Sequence, residues 1–181
     1  MVGFSSFRVA DPPSSLPHNY EENPTPNERS AVKHWATYGQ QGYTPKHRVT
    51  ASQWKCKPFV KPVTSPWRIA LEPHQLQILL LGFRPRVNED KWSVYNDGPD
   101  IQGHVRLHIH WSWSGTKMAE LIIEAGPVSR NGYVDGSTFV NGIMWESDPE
   151  HRREPSEEKA KEVARGVCGW VLNVQLDKEV I

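Results

Sequence analysis

The segment from His104 to Gly115, HVRLHIHWSWSG, places three histidines and two tryptophans in twelve residues. Polar and apolar residues alternate over 104–113, which is the period of a strand whose successive side chains leave on opposite faces. Val105, Leu107, Ile109, Trp111 and Trp113 then share one face, and His104, Arg106, His108, His110 and Ser112 share the other. Met118 to Glu124 reads as the next strand. A three-residue loop, Ser114–Gly115–Thr116, sets Trp111 opposite Ala119, Ile109 opposite Leu121 and Leu107 opposite Ile123. The same register sets His110 against Glu120 and Arg106 against Glu124. A two-residue loop would bring Glu120 against Ile109, which a half-buried sheet does not tolerate. The glycine stands second in this loop, where such hairpins usually place it third.

Working outward, Trp67 to Leu71 predicts a short strand, and Glu72-Pro73 opens a helix that runs to Leu81 and stops at Gly82. Lys91 to Tyr95 alternates and ends in the turn-rich Asn96-Asp-Gly-Pro99. Glycines punctuate the region after Gly126, with short extended pieces expected at 133–134 and 138–145. Ala160, Val163, Ala164, Val167, Trp170, Val171 and Val174 then recur at amphipathic helical spacing, with Ser156 as cap and Glu157 and Glu158 in the first turn. The expected fold is α+β: a small antiparallel meander packed against a C-terminal amphipathic helix.

Nine of the fifteen prolines precede residue 67. Residues 1–30 read as an extended or disordered lead-in. Trp35, Tyr38, Tyr43, Trp54 and Phe59 read as anchors of an arm laid on the domain. The division is therefore 1–65, a Pro-rich irregular arm, and 66–181, one α+β domain. A chain of 181 residues can hide roughly two thirds of its unfolded surface.

Charge narrows the partners. With 21 basic and 21 acidic side chains the net charge is zero, which argues against nucleic acid, whose phosphates demand a concentrated basic surface. No apolar run approaches the roughly 20 residues of a membrane span, and no leader signature is expected at the N-terminus. Cys56 and Cys168 form no motif and fit reduced thiols of a cytoplasmic or nuclear protein.

The polar face of the histidine strand admits several chemistries. His108 and His110, as His-x-His, can both reach one metal ion. The comparison to make is the cupin motif, which adds a glutamate four or five residues later; Ser114 and Gly115 occupy those positions, so no metal is assigned and His108 and His110 stay weak candidates. His108 or His110 with Glu120 could serve as an acid–base pair, although no nucleophile motif accompanies them. Arg106 and the histidines could instead bind an anion beside a stacking tryptophan. Against all of these stands an ordinary wet sheet face with cross-strand charge pairs.

Glu89-Asp-Lys-Trp92 followed by Trp111-Ser-Trp-Ser-Gly115 resembles a small uncharacterised family with an E-D-K-W stretch and, some twenty residues later, R-S-W-T-G. Its members sometimes lie beside or are fused to ADP-ribosylglycohydrolase-like or macrodomain-like proteins. The likeness spans about residues 84–176, with an Asn-Gly turn at Asn141-Gly142 and a closing helix from Glu157 to Val174. It singles out Trp92, Ser112, Trp113 and Gly115, while the family's arginine is Trp111 here and its threonine Ser114. The resemblance implies a connection to ADP-ribose or NAD-derived metabolism without implying a mechanism. The expected function is a non-enzymatic accessory domain that binds a small anionic or nucleotide-like ligand, or a protein. Its ligand-binding candidates are Arg106, His110, Trp113, Trp92, Ser112 and Glu124. The alternatives are an enzyme built on His108, His110 and Glu120, and a pathway protein that docks through its N-terminal arm. No cofactor and no oligomeric state follow from the residues.

Overall fold

Five strands form one antiparallel sheet: β1 (Pro62–Leu71), β2 (Trp92–Asp97), β3 (His104–Trp111), β4 (Lys117–Glu124) and β5 (Thr138–Glu146). Their order is β1-β5-β4-β3-β2, so β2 to β5 make a meander and β1 closes on its far edge. The α-helices are α1 (Pro26–Tyr38), α2 (Pro73–Leu81) and α3 (Glu157–Gly166). This computed structural model describes residues 25–127 and 136–181. The expected lead-in up to residue 24 and the extended piece at 133–134 lie outside the described residues.

The α+β architecture is the one expected. One sheet face is apolar through Ile69, Val94, Leu107, Ile109, Leu121 and Val140, all buried. Onto it α3 packs across β4 and β5, contributing Ala160, Val163 and Ala164. Ser156 caps α3 by accepting from the Lys159 N–H, and Glu157 and Glu158 stand at the positive end of the helix dipole. Beyond Gly166 the helix widens into a π turn over Val167–Val171. Asn173, in the left-handed region at φ 57, then stops the chain, and the Val174 N–H returns to the Cys168 carbonyl.

The hairpin register differs from expectation by two residues. Ile109 pairs with Ala119, Leu107 with Leu121, His108 with Glu120 and His104 with Glu124. β3 ends at Trp111, and Ser112 to Gly115 form a four-residue turn closed by Gly115 N–H to Trp111 O at 2.8 Å. Gly115 sits at φ +74, and a β-carbon there would meet the Lys55 carbonyl at 2.8 Å. The pairing then slips by one between Ile109 and His110, leaving Met118 as a bulge opposite no partner. A shift of two returns every side chain to its original face, so the hydrophobic pattern is blind to it. The bulge has a separate effect: it turns Lys117 onto the face that carries Glu120.

Two further expectations are corrected. Residues 26–30 belong to α1 and not to an irregular lead-in, because Thr25 and Glu28 cap each other's backbone donors and Pro26 occupies the first turn. Asn141-Gly142 is no turn; it lies within β5 where the pairing with β4 slips between Ile122 and Ile123, and Gly142 packs closely beneath Ser65 O and Ile122. No helix among the described residues is long and apolar enough to cross a membrane.

Candidate functional site

The face of the sheet away from α3 carries the histidines. Alternation along β2 puts Ser93, Tyr95 and Asp97 there, and the register sets them beside His110, His108 and Arg106. This face is only partly wet. Residues 54–61 cross it as a strap before the chain enters β1. The Trp54 indole donates to Ser112 O at 2.8 Å, and the Lys57 N–H donates to Gly115 O at 2.8 Å. At the other end the Val60 and Lys61 N–H groups donate to the two carboxylate oxygens of Glu146 at 2.6 and 2.9 Å.

Under and beside the strap the polar side chains form one network. Glu120 accepts from Arg106 Nη1 at 3.2 Å and from the Lys117 ammonium. His108 stands between two carboxylates: Nε2 is 2.8 Å from Asp97 Oδ2 and Nδ1 is 3.2 Å from Glu120 Oε2. The second contact is close enough for an ion pair, but its angle at the ring leaves Nδ1 without a directed hydrogen bond. Tyr95 stacks on His108 with centroids 4.5 Å apart and on His110 at 5.6 Å. Burial, followed by the neighbouring acid groups Cys56, Asp97 and Glu120, pushes the Tyr95 phenol up to about 12. Burial also works to raise Glu120, but contacts with His108 and Lys117 outweigh it and hold the carboxyl down at about 2.

His110 is the odd member. It is 1% exposed, and its Nδ1 lies 3.0 Å from the Gly115 carbonyl. A carbonyl only accepts, so Nδ1 carries the proton and Nε2 presents a bare lone pair. That Nε2 is buried and has no hydrogen-bond partner. Burial is the main cause that lowers the ring to about 4, with Lys117 and His108 adding to it against the Gly115 carbonyl and Glu120. His110 is therefore neutral at pH 7. Between pH 6.5 and about 4 the unfolded chain takes up a proton that the folded ring refuses, so stability falls as pH drops through that window. The full shift corresponds to roughly 3 kcal/mol. Urea midpoints measured from pH 7 to pH 4 should fall less steeply in His110→Asn than in the parent, and parallel curves would refute this assignment.

The other candidates are not gathered here. Trp92 is a core residue, 1% exposed, and Trp113 is 57% exposed on the turn. Ser112 is buried, with its hydroxyl donating to Asp90 O at 2.8 Å. Glu124 lies in an open trough with Asp97, Asp100, His104, Arg106 and Asn141. Among the described residues no group of three or more His, Cys, Asp or Glu is placed to hold a metal ion. Tyr95, Asp97 and Lys117 also belong to the network, beyond the residues expected from the sequence. The alternation of Ser93, Tyr95 and Asp97 was a signal for the first two. For Lys117 there was none, since the bulge is what turns it to this face.

The two halves of the tryptophan-rich signature do meet, and what they build is a socket for α1. Ser112 N–H donates to Lys91 O at 2.8 Å, and Trp92 meets Trp111 edge to face at 5.1 Å. From this unit the Lys91 ammonium donates to the carbonyls of Trp35 and Ala36 at 3.2 and 2.7 Å. The Trp92 indole takes the next carbonyl, Thr37, at 3.1 Å. Three successive carbonyls at the negative end of α1 are thus satisfied by a cation and a donor. Asn96 does the same for α2 through Leu79 O and Leu80 O. Comparison with protein-family models, with curated proteins and with solved structures finds no match to this chain.

Proposed function

We propose that this chain is a non-enzymatic accessory domain that binds a small ligand at the seam between the strap and the histidine strand. The observation that carries the reading is the buried, unpartnered Nε2 of His110 in a fixed tautomer. Buried polar atoms in a structural cluster are as a rule satisfied, and an acceptor held ready beside a charged network suits a ligand that brings an N–H or O–H. Nucleotide-like molecules have such donors, and ADP-ribose is the version that the family resemblance suggests. Reaching the lone pair requires the strap to lift, which breaks the Lys57 N–H bond to Gly115 O; the next residue, Pro58, has no N–H to give the sheet.

Thermal shift of the whole chain against ADP-ribose, NAD and mononucleotides tests this. A true ligand at one hundred times its Kd stabilises by about 2.7 kcal/mol, which is several degrees for a protein of this size. His110→Ala should abolish that shift while keeping a cooperative transition. No stabilisation by any of these compounds would remove the nucleotide version. A second reading, acid–base catalysis by His108 or His110 with Glu120, draws on the same free lone pair and on the carboxylates that flank His108. The depressed basicity of His110 favours an acceptor over a base. A third reading is docking of the chain on a larger protein through its N-terminal arm; because residues 62–65 are part of β1, that arm ends at residue 61.

A further inference from the structure

We infer that a second site, the cleft between the strap, the start of β4, the end of β5 and the 151–152 loop, binds a small oxyanion carried on a flat apolar body. The cleft has a volume of about 360 Å³ and is lined by Lys57, Phe59, Lys117, Glu146, His151 and Arg152, among others. It uses no atom of His110, although the strap and Lys117 border both sites.

Its charges are unevenly spent. The single lining carboxylate, Glu146, already accepts three backbone N–H groups, from Val60, Lys61 and Asp148, at 2.6, 2.9 and 3.0 Å. Lys117 is engaged with Glu120 behind it while its ammonium stands 4.9 Å over the Phe59 ring. His151 leans on Asp148 at 3.3 Å through Nδ1. Two cations are left. Lys57, exposed on the strap, lines the cleft and makes no ion pair among the described residues. Arg152 is half-buried and makes no ion pair within 4 Å among the described residues, although the Glu146 carboxylate favours its charge; its Nη1 alone donates, to Met118 O at 2.9 Å and toward Met118 Sδ at 3.4 Å. Its Nε and Nη2 have no hydrogen-bond partner among the described residues. A guanidinium drawn out of water with its fork unused is the donor set that a phosphate or carboxylate engages in pairs. Pro58, Phe59 and Val60 supply apolar surface against which a ring can lie.

The test is a titration of the whole chain followed by backbone and arginine side-chain amide resonances. The probes are phenyl phosphate, inorganic phosphate and phenol. Phenyl phosphate should saturate and shift Arg152 Nε–H and the Phe59, Val60 and Thr116 amides, binding about tenfold tighter than either fragment. Lys57→Met, at an exposed position, should weaken it about five- to tenfold, and Arg152→Met about tenfold or more, with partial recovery in Arg152→Lys. His110→Ala should leave phenyl phosphate binding unchanged, which separates this site from the ligand proposed above. Equal binding of phenol and phenyl phosphate overturns the oxyanion, and equal binding of inorganic phosphate overturns the apolar body. Undiminished binding to both Lys57→Met and Arg152→Met overturns the site.

Discussion

Replacing Glu120 by glutamine is expected to destabilise the protein by roughly 3–5 kcal/mol, the scale on which a buried ion pair loses one partner. The substitution keeps the shape and removes the charge. Lys117, with its side chain only 10% exposed, and His108 at 9% would then be left facing an amide. Arg106 suffers less, since it reaches solvent. The loss should appear as a drop in Tm on the order of 10 °C. Adding Lys117→Met to Glu120→Gln should recover part of the loss, because the double variant no longer buries an unpaired ammonium. A cost below about 1 kcal/mol would mean that water already screens the network as it does surface pairs.

Trp92→Ala is expected to cost about 3–5 kcal/mol, the range for emptying an aromatic from a core. The indole is packed edge to face against Trp111 and stacked toward Tyr38 at 6.3 Å, and its Nε1 holds Thr37 O. Removing it therefore takes out core volume and a fastening of α1 together. Trp92→Phe separates the two: it keeps most of the ring and should cost about 1–2 kcal/mol, chiefly the lost donor. Chemical denaturation measures both, and amide exchange along 26–38 reports the fastening. Should Trp92→Ala cost less than about 2 kcal/mol, with exchange in α1 unchanged, the socket is not what holds that helix.

Much of the fold could be read from residue spacing. Helix α2 was marked by Pro73 and Gly82, α3 by Ser156 and its apolar stripe, and the two faces of β3 by alternation alone. The pairing of β3 with β4 could not be read, because a displacement of two is invisible to a period of two and because nothing in the residues marks Met118 as a bulge. Helix α1 is legible in principle, since Thr25-Pro-Asn-Glu28 is a capping box, but the proline-rich composition around it is that of irregular chain. The polar network is legible in part: alternation and composition mark His108, His110, Arg106 and Glu120, whereas their neighbours depend on the register and on the strap. The basic cleft was out of reach, because Lys57, Lys117, Glu146 and Arg152 converge from four separate stretches of chain, and only the folded sheet brings them together. The signature Glu89–Trp92 and Trp111–Gly115 is the instructive case. Its residues do assemble, and their chemistry is spent on fastening a helix end.

Met118 is one residue more than a regular hairpin needs. Removing it would leave His110 beside Lys117 and Ile109 beside Ala119, the pairings already present, so the sheet would keep both faces. Arg152 would lose the Met118 carbonyl and sulfur on which it rests. The scaffold and the cleft thus differ by a single insertion. A sequence related to this one can carry the whole sheet without that residue and still lack the arginine's anchor, so chain length at this point, more than the identity of the conspicuous tryptophans, tells which relatives could share the second site.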